Sequence, residues 1–75
     1  MPDKTLDVKG LACPLPILKA KKALSALPKG ATLEVLSTDP GSLADFTAFS
    51  ESTGNALLEH SESDGVYRFL LRHSA

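Results

Sequence analysis

The chain has 75 residues, of which 43% are hydrophobic and 23% are charged, so it is long enough for one small domain with a single core. Eight basic and nine acidic residues give a formal net charge of −1, which argues against non-specific binding to nucleic acid or to anionic membranes. One cysteine excludes an internal disulfide, and the polar start of the chain lacks the apolar region of a signal peptide. These features predict one domain over residues 1–75, in a reducing cytoplasm and not in a membrane.

The first third of the chain predicts a strand followed by a helix. Thr5–Val8 alternates polar and apolar residues, as a half-buried strand does, and Gly10 permits a tight turn after it. A helix is predicted from about residue 14 or 16 to Leu27, where proline and glycine residues stop it. The apolar residues that recur at helical spacing are Ile17, Ala20, Leu24 and Leu27.

A second strand and a second helix follow. Thr32–Ser37 alternates again and predicts the second strand. Asp39 is the predicted N-cap of the second helix, with Pro40 at the first helical position. Ser42, with Asp45 three residues later, is a weaker and competing start signal.

The last third of the chain predicts the end of this helix and a β-hairpin. Gly54 is the predicted stop of the helix. Ala56–Glu62 and Val66–His73 are the two predicted strands, joined at Asp64-Gly65, where both residues tolerate positive φ. The predicted buried residues are Leu43, Phe46 and Phe49 on the helix and Tyr67, Phe69 and Leu71 on the last strand.

The element order is therefore βαβαββ, which predicts a two-layer α/β (α+β) sandwich. The two βα units favour parallel pairing with right-handed crossovers, and the closing hairpin makes the sheet mixed. Alternation in most strands implies one face toward the core, so both helices are expected on the same face of a four-stranded sheet. Leu36 and Leu70 interrupt the polar pattern of the open face. They are interpreted as half-buried edge positions, with a docking patch as the alternative.

Cys13 is the residue best suited to covalent chemistry. It lies at or just before the start of the first helix, where unpaired amides and the helix dipole favour the reactive thiolate. Pro14 biases Cys13 toward an extended conformation, so the thiol is predicted to lie outside the helix. Lys19 and Lys22 are expected to add a positive field there, with solvated lysines as the alternative. A buried structural cysteine is the alternative for Cys13 itself.

Several other thiol chemistries do not fit. A thioredoxin-type motif needs a second cysteine three residues on, where this chain has Pro16. A structural zinc site needs four ligands, and Cys13, His60 and His73 lack metal-ligand spacing, so no metal is predicted. A Cys–His hydrolase needs a histidine beside the thiol, whereas both histidines are predicted to be surface residues of the hairpin.

The segment LDVKGLACPLP, from Leu6 to Pro16, resembles the signature of the TusA/SirA-like sulfur-carrier family, in which Cys-Pro-x-Pro follows Leu-Asp-x-x-Gly-Leu. The resemblance continues through residues 19–22, 38–42 and 45–46 and into the closing hairpin, so it covers nearly the whole chain. It implies the same βαβαββ two-layer fold. Gly10, Pro14 and Pro16 belong to the motif and are predicted to support the thiolate.

The resemblance also implies that Cys13 accepts sulfane sulfur as a persulfide and hands it to a cysteine of another protein. The expected donor is a cysteine desulfurase or a rhodanese, and an acceptor protein passes the sulfur to tRNA thiolation, molybdenum cofactor or sulfur oxidation. No cofactor other than the persulfide is expected, and the protein is a carrier more than a stand-alone turnover enzyme. Some family members have a second cysteine where this chain has Ser50, so a two-cysteine function is not expected.

Partner docking is predicted for Lys19, Lys22 and Asp45, the lysines by steering acidic surfaces. Asp45, like Asp39, is also expected to add charge at the start of the second helix. A monomer without direct nucleic-acid contact is expected. Two other classes stay open: a protein- or RNA-binding module without sulfur transfer, and a redox-sensing thiol that forms mixed disulfides.

Overall fold

The computed structural model describes residues 2–74 and has the predicted element order. The predicted domain spans residues 1–75, and its first and last residues lie outside the described part. The elements are β1 Lys4–Asp7, α1 Leu15–Ser25, β2 Thr32–Ser37, α2 Ser42–Thr53, β3 Ala56–Ser63 and β4 Val66–Arg72. Within residues 2–74, no helix combines the length and apolar content needed to cross a bilayer.

The four strands form one mixed sheet in the order β1-β2-β4-β3. β1 pairs with β2 in parallel, and β4 pairs with β2 and β3 in antiparallel fashion. This arrangement confirms the predicted mixed sheet. The parallel pair matters for function, because the chain leaves β1 and β2 at the same edge of the sheet and enters a helix after each strand.

The core lies between one face of the sheet and the two helices. Phe46 of α2 stacks on Phe69 of β4, with ring centroids 4.6 Å apart, and packs edge-on against Phe49 at 6.4 Å. These contacts join α2 to the centre of the sheet. One buried cluster includes residues of both helices and of the sheet, which confirms that the helices share one face. The buried apolar cluster comprises Val8, Ala20, Ala23, Leu24, Leu33, Val35, Phe46, Phe49, Phe69 and Leu71.

The first strand and first helix lie close to their predicted positions. β1 begins one residue earlier than predicted and ends at Asp7, although Val8 is buried and its amide still donates to the Leu36 carbonyl at 2.8 Å. α1 ends at Ser25, two residues before the predicted Leu27, because the chain tightens there into a turn. Two residues of the predicted stripe are fully buried, Ala20 and Leu24, and two are half-buried, Ile17 and Leu27.

The start of the second helix differs from the prediction. Asp39 is not the N-cap, and neither Ser42 nor Asp45 forms a capping box, because α2 begins at Ser42 after Gly41 with no side-chain cap. The buried face of this helix comprises residues 42, 46 and 49, which recur at helical spacing. Leu43, predicted to be buried, is therefore turned outward and is 40% exposed.

The hairpin and the end of α2 match the prediction. Gly54 ends α2 in the left-handed conformation with φ of 85°. Asp64 and Gly65 both have positive φ, 51° and 80°, as a tight two-residue turn requires. β3 extends one residue past its predicted end, to Ser63, and β4 stops one residue short of His73.

The open face of the sheet is polar at its centre. Arg68 of β4 pairs with Glu34 of β2 and, at 3.6 Å, with Glu59 of β3. The Thr5 hydroxyl donates to Glu34 at 3.1 Å, so this network spans all four strands. Leu36 and Leu70 are half-buried, but they lie on the two central strands and not at an edge as predicted.

Candidate functional site

The Cys13 thiol is exposed in the loop between β1 and α1. Because β1 and β2 are parallel, this loop lies beside the loop that follows β2, at the edge where parallel strands place their ligand sites. The alternative of a buried structural cysteine is therefore wrong. The exposed position fits a sulfur atom that meets reagents or partners from outside.

Neighbouring groups hold the backbone of the Cys13 loop. The Gly10 amide donates to the Thr38 hydroxyl at 2.9 Å, and the Cys13 amide donates to Asp39 Oδ2 at 3.2 Å. Gly10 has φ of 84°, a left-handed conformation that a residue with a Cβ would adopt only with strain. The loop after β2 thus fixes the conformation of the loop that carries the thiol.

The two prolines that follow Cys13 define the start of α1. Pro14 is the N-cap, and the Cys13–Pro14 peptide bond is cis. Pro16 is buried under the first turn. The Leu15 amide donates to the Ala12 carbonyl at 3.0 Å. The Cys13 loop and α1 are therefore joined by a tight turn.

A buried pair of hydroxyls joins the two ends of the loop between β2 and α2. The hydroxyl oxygens of Ser37, at the end of β2, and Ser42, at the start of α2, lie 2.6 Å apart, and both side chains are buried. The Asp39 amide donates to the Ser37 hydroxyl at 3.2 Å, and Asp39 Oδ1 accepts from the Gly41 amide at 3.2 Å. These bonds fix Asp39, whose other carboxylate oxygen accepts from Cys13.

The thiol lies at a cleft of about 360 Å³ between the start of α1 and one side of α2. Its walls are mostly apolar, and Asp45 is the acidic residue among them. The cleft is lined by Cys13, Pro14, Ile17, Asp45, Ala48, Phe49 and Ser52. A partner's side chain or an added sulfur atom at Cys13 therefore meets both an apolar surface and a carboxylate.

The charges that act on the thiol are negative. A hydrogen-bond interaction with the Asp45 side chain raises the pKa of Cys13, and partial loss of hydration adds to this effect. The negative charges of Asp45 and Asp39 raise the pKa further. The expected positive field at Cys13 is therefore wrong, since the free protein favours the neutral thiol over the thiolate.

Lys19 and Lys22 lie away from the thiol in a second groove. This groove, of about 260 Å³, runs between β1 and α1 and is lined by Lys4, Leu6, Lys19, Lys22, Ala23 and Ala26. None of its three lysines forms an ion pair within residues 2–74. The two predicted docking lysines are thus placed together, but on a surface separate from the cleft.

Neither histidine is placed to act with Cys13. His73 Nδ1 lies 2.6 Å from the carbonyl of Leu27, which follows the C-terminal end of α1, whereas Cys13 precedes the N-terminal end. His73 is half-buried and is not a surface residue as predicted. His60 is exposed on β3, the edge strand opposite β1. Among the described residues, no group of His, Cys, Asp and Glu side chains has the geometry of a metal site.

Sequence reasoning missed the roles of Thr38 and Asp39 in holding the loop, and it missed the paired serines. One available signal was position, because residues that follow two neighbouring parallel strands meet at the same edge of a sheet. Asp39 was interpreted as a helix cap, which is the commoner use of an aspartate before Pro-Gly. The serine pair has no sequence signal, since its two hydroxyls meet only in the folded chain.

Comparisons with known proteins agree with this architecture. The family model described as Sulfurtransferase TusA matches residues 4–73. The sulfur carrier protein TusA of Allochromatium vinosum is 53% identical over 96% of this chain and 95% of its own length. A Neisseria meningitidis serogroup A protein is also 53% identical, over 97% of this chain and 99% of its own.

A solved structure shows the same fold. The crystal structure of a SirA-like protein from Desulfitobacterium hafniense superposes with a TM-score of 0.83 at 31% identity. The match covers 96% of this chain and 99% of that one, so the shared fold extends over nearly the whole of both chains.

Proposed function

The chain belongs to the TusA sulfurtransferase family and has its sulfur-carrier role, and we propose that it carries the sulfur as a persulfide on Cys13. The observation that carries this proposal is the exposure of Cys13 on a loop whose backbone is fixed at Gly10 and at Cys13 itself. A carrier must present its sulfur to two different partners in turn. An exposed thiol on a fixed loop meets that requirement.

The proposed chemistry needs only the thiol and its partners. The Cys13 thiolate attacks the outer sulfur of a donor persulfide, and the donor cysteine leaves as a thiolate. An acceptor thiolate then attacks the outer sulfur now held on Cys13, and Cys13 is released unchanged. The protein therefore acts as a carrier in a relay, since each turnover depends on a donor and an acceptor. No further cofactor is required.

The docking surface that we propose surrounds the thiol on the first helix and its preceding loop. Leu15 and Leu18 are 45% and 54% exposed in the first turns of α1, close in the chain to Cys13. Exposed apolar side chains beside a reactive group are typical of a protein-binding surface. Gly10, Pro14 and Pro16 fix the shape of this surface, and Gly10 does so through the Thr38 bond.

The partners we propose are other proteins. A cysteine desulfurase or a rhodanese supplies the sulfur, and the acceptor decides whether it reaches tRNA, molybdenum cofactor or sulfur oxidation. Lys19, Lys22 and Asp45 are candidates for contacts with these partners. A monomer exposes the thiol to each of them in turn. A thiol that must stay reduced between transfers also fits the reducing cytoplasm, which we propose as the compartment.

The test is the chemical state of Cys13 in protein purified from its host under conditions that trap persulfides. Alkylation followed by peptide mass spectrometry is expected to find one added sulfur atom on Cys13 in a fraction of the molecules. Cys13→Ser, the matched control, should contain none. Glutathione or sulfenic adducts in place of persulfide would overturn the proposal and favour a redox-sensing thiol. An unmodified thiol combined with salt-dependent RNA binding by Cys13→Ala would favour a binding module.

A further inference from the structure

Two carboxylates surround the backbone and side chain of Cys13. Asp39 Oδ2 accepts the hydrogen bond of the Cys13 amide at 3.2 Å, and Asp45 lines the same cleft as the thiol. Both carboxylates also approach Gly41, where a Cβ atom would lie 3.8 Å from Asp39 Oδ1 and 3.9 Å from Asp45 Oδ2. The two acidic groups and the thiol therefore occupy one small region.

This negative charge is not neutralised within the described residues. The ion pairs of residues 2–74 join Lys9 to Asp7 and Arg68 to Glu34 and Glu59. Within these residues, neither Asp39 nor Asp45 forms an ion pair with a basic side chain. Lys19 and Lys22, the α1 lysines expected near the thiol, line a different groove. An unneutralised carboxylate next to a thiol stabilises the protonated form, which is the less nucleophilic one.

We propose that Asp45, together with Asp39, keeps Cys13 protonated in the free protein, and that a cationic group on the sulfur donor neutralises these carboxylates in the complex and permits the thiol to ionise. The proposal rests on the proposed function and adds regulation to it. The donor is thus expected to present an arginine or a lysine beside its own persulfide, at the position where the two carboxylates meet.

The transfer step balances without any added oxidant or reductant. In the complex, the Cys13 thiol releases its proton to water, and the thiolate forms a bond to the outer sulfur of the donor persulfide. The S–S bond of the donor breaks, its electron pair stays on the donor cysteine, and that thiolate takes up a proton from water. The net change moves one sulfur atom from the donor to Cys13.

This arrangement gives the carrier selectivity between its partner and small reagents. A neutral thiol reacts slowly with peroxides and disulfides, because these reagents are attacked by the thiolate. A partner that supplies positive charge raises the thiolate fraction of Cys13 only in the complex, where the donor persulfide is present. The same charge pairing also steers the two proteins together and sets their relative orientation.

The first part of the test uses alkylation of Cys13 by iodoacetamide, an uncharged reagent, as a function of pH. Asp45→Asn removes one charge and keeps the shape of the side chain. Glu51→Gln is the matched control, because Glu51 is exposed on the same helix and does not line the cleft. Asp45→Asn is expected to react about threefold or more faster than wild type near neutral pH, with its half-maximal rate moved to lower pH. Glu51→Gln should match wild type.

The second part measures transfer of radiolabelled sulfur from a cysteine desulfurase to Cys13 in the same three proteins. Asp45→Asn is expected to accept sulfur several-fold more slowly than wild type, although its free thiol is more reactive, because it has lost the group that pairs with the donor's cation. An unchanged alkylation profile for Asp45→Asn would overturn the proposal. Faster alkylation together with unchanged or faster transfer would overturn its partner-dependent half.

Failure of the carrier role and failure of the Asp45 proposal give different results. If wild-type protein takes no sulfur from any donor, the carrier proposal fails, while the alkylation profiles still report whether Asp45 controls the thiol. Circular dichroism of each variant checks that the fold is intact. Asp45→Ser provides a second replacement, which is expected to raise the alkylation rate in the same direction.

Discussion

Replacing Ser37 and Ser42 tests how the fold supports the thiol loop. Their buried hydroxyls lie 2.6 Å apart, and Ser37 also accepts a hydrogen bond from the Asp39 amide. Ser42→Ala removes the Ser42 hydroxyl from the Ser37 hydroxyl, which costs about 1–2 kcal/mol of unfolding free energy. Ser37→Ala leaves both the Ser42 hydroxyl and the Asp39 amide unpaired, so its cost is expected to be larger, about 2–3 kcal/mol.

The double variant is expected to cost less than the sum of the single variants. With both hydroxyls gone, only the Asp39 amide lacks a partner, so the coupling between the two serines should be about 1–2 kcal/mol. In a domain of this size, each kcal/mol lowers Tm by about 4–8 °C, which thermal unfolding measures readily. Ser25→Ala is the control, because the Ser25 hydroxyl is on the exposed face of α1 and, within residues 2–74, bonds only to the Lys21 carbonyl.

Urea unfolding of wild type, both single variants and the double variant completes the cycle. Amide exchange gives a second readout, because loosening the loop after β2 should speed exchange at Gly10 and Cys13, which bond to Thr38 and Asp39. Costs that add within about 0.5 kcal/mol would refute the reasoning, since they would mean that the two hydroxyls act independently.

The remaining predictions concern charge. Arg68 lowers the pKa of Glu34, so this pair stabilises the fold above the unfolded Glu value of about 4.3, and the contribution is lost as pH falls through the folded pKa. Arg68→Met should therefore lower Tm near neutral pH but much less in acid, and an equal loss at both would contradict this account. Lys19→Glu combined with Lys22→Glu should slow sulfur exchange with an acidic partner several-fold at low salt, whereas Lys29→Glu, outside the groove, should not. Equal slowing by the double variant and by Lys29→Glu, or slowing by neither, would exclude a role for the groove.

Local patterns were enough to predict the fold. Alternation in Thr32–Ser37, the turn at Asp64-Gly65 and the stop at Gly54 each depend on a few adjacent residues, and all three appear as expected. The element order then left few topologies, because parallel βα units and a closing hairpin restrict how strands can pair. The motif around Cys13 also placed the exposed thiol on the correct loop.

The electrostatics of the site could not be predicted in the same way. Lys19 and Lys22 are near Cys13 in the chain, but the helix directs them toward β1 and away from the cleft. Asp45 is distant in the chain, yet it is the main influence on the pKa of Cys13. Charge at a site depends on which helix faces meet across it, and that follows from packing and not from sequence distance. The error on Leu43 has the same origin, since packing places residues 42, 46 and 49 of α2 toward the core and leaves Leu43 exposed.

Two-step sulfur transfer through Cys13 is the most direct test of the carrier role. The protein is incubated with a cysteine desulfurase and cysteine labelled in its sulfur, separated from both, and then mixed with an acceptor protein that has a free active-site cysteine. The label is expected to appear on Cys13 first and then to leave it as the acceptor gains it, while Cys13→Ser carries none. Label that never attaches to Cys13, or that attaches and never moves on, would contradict the account.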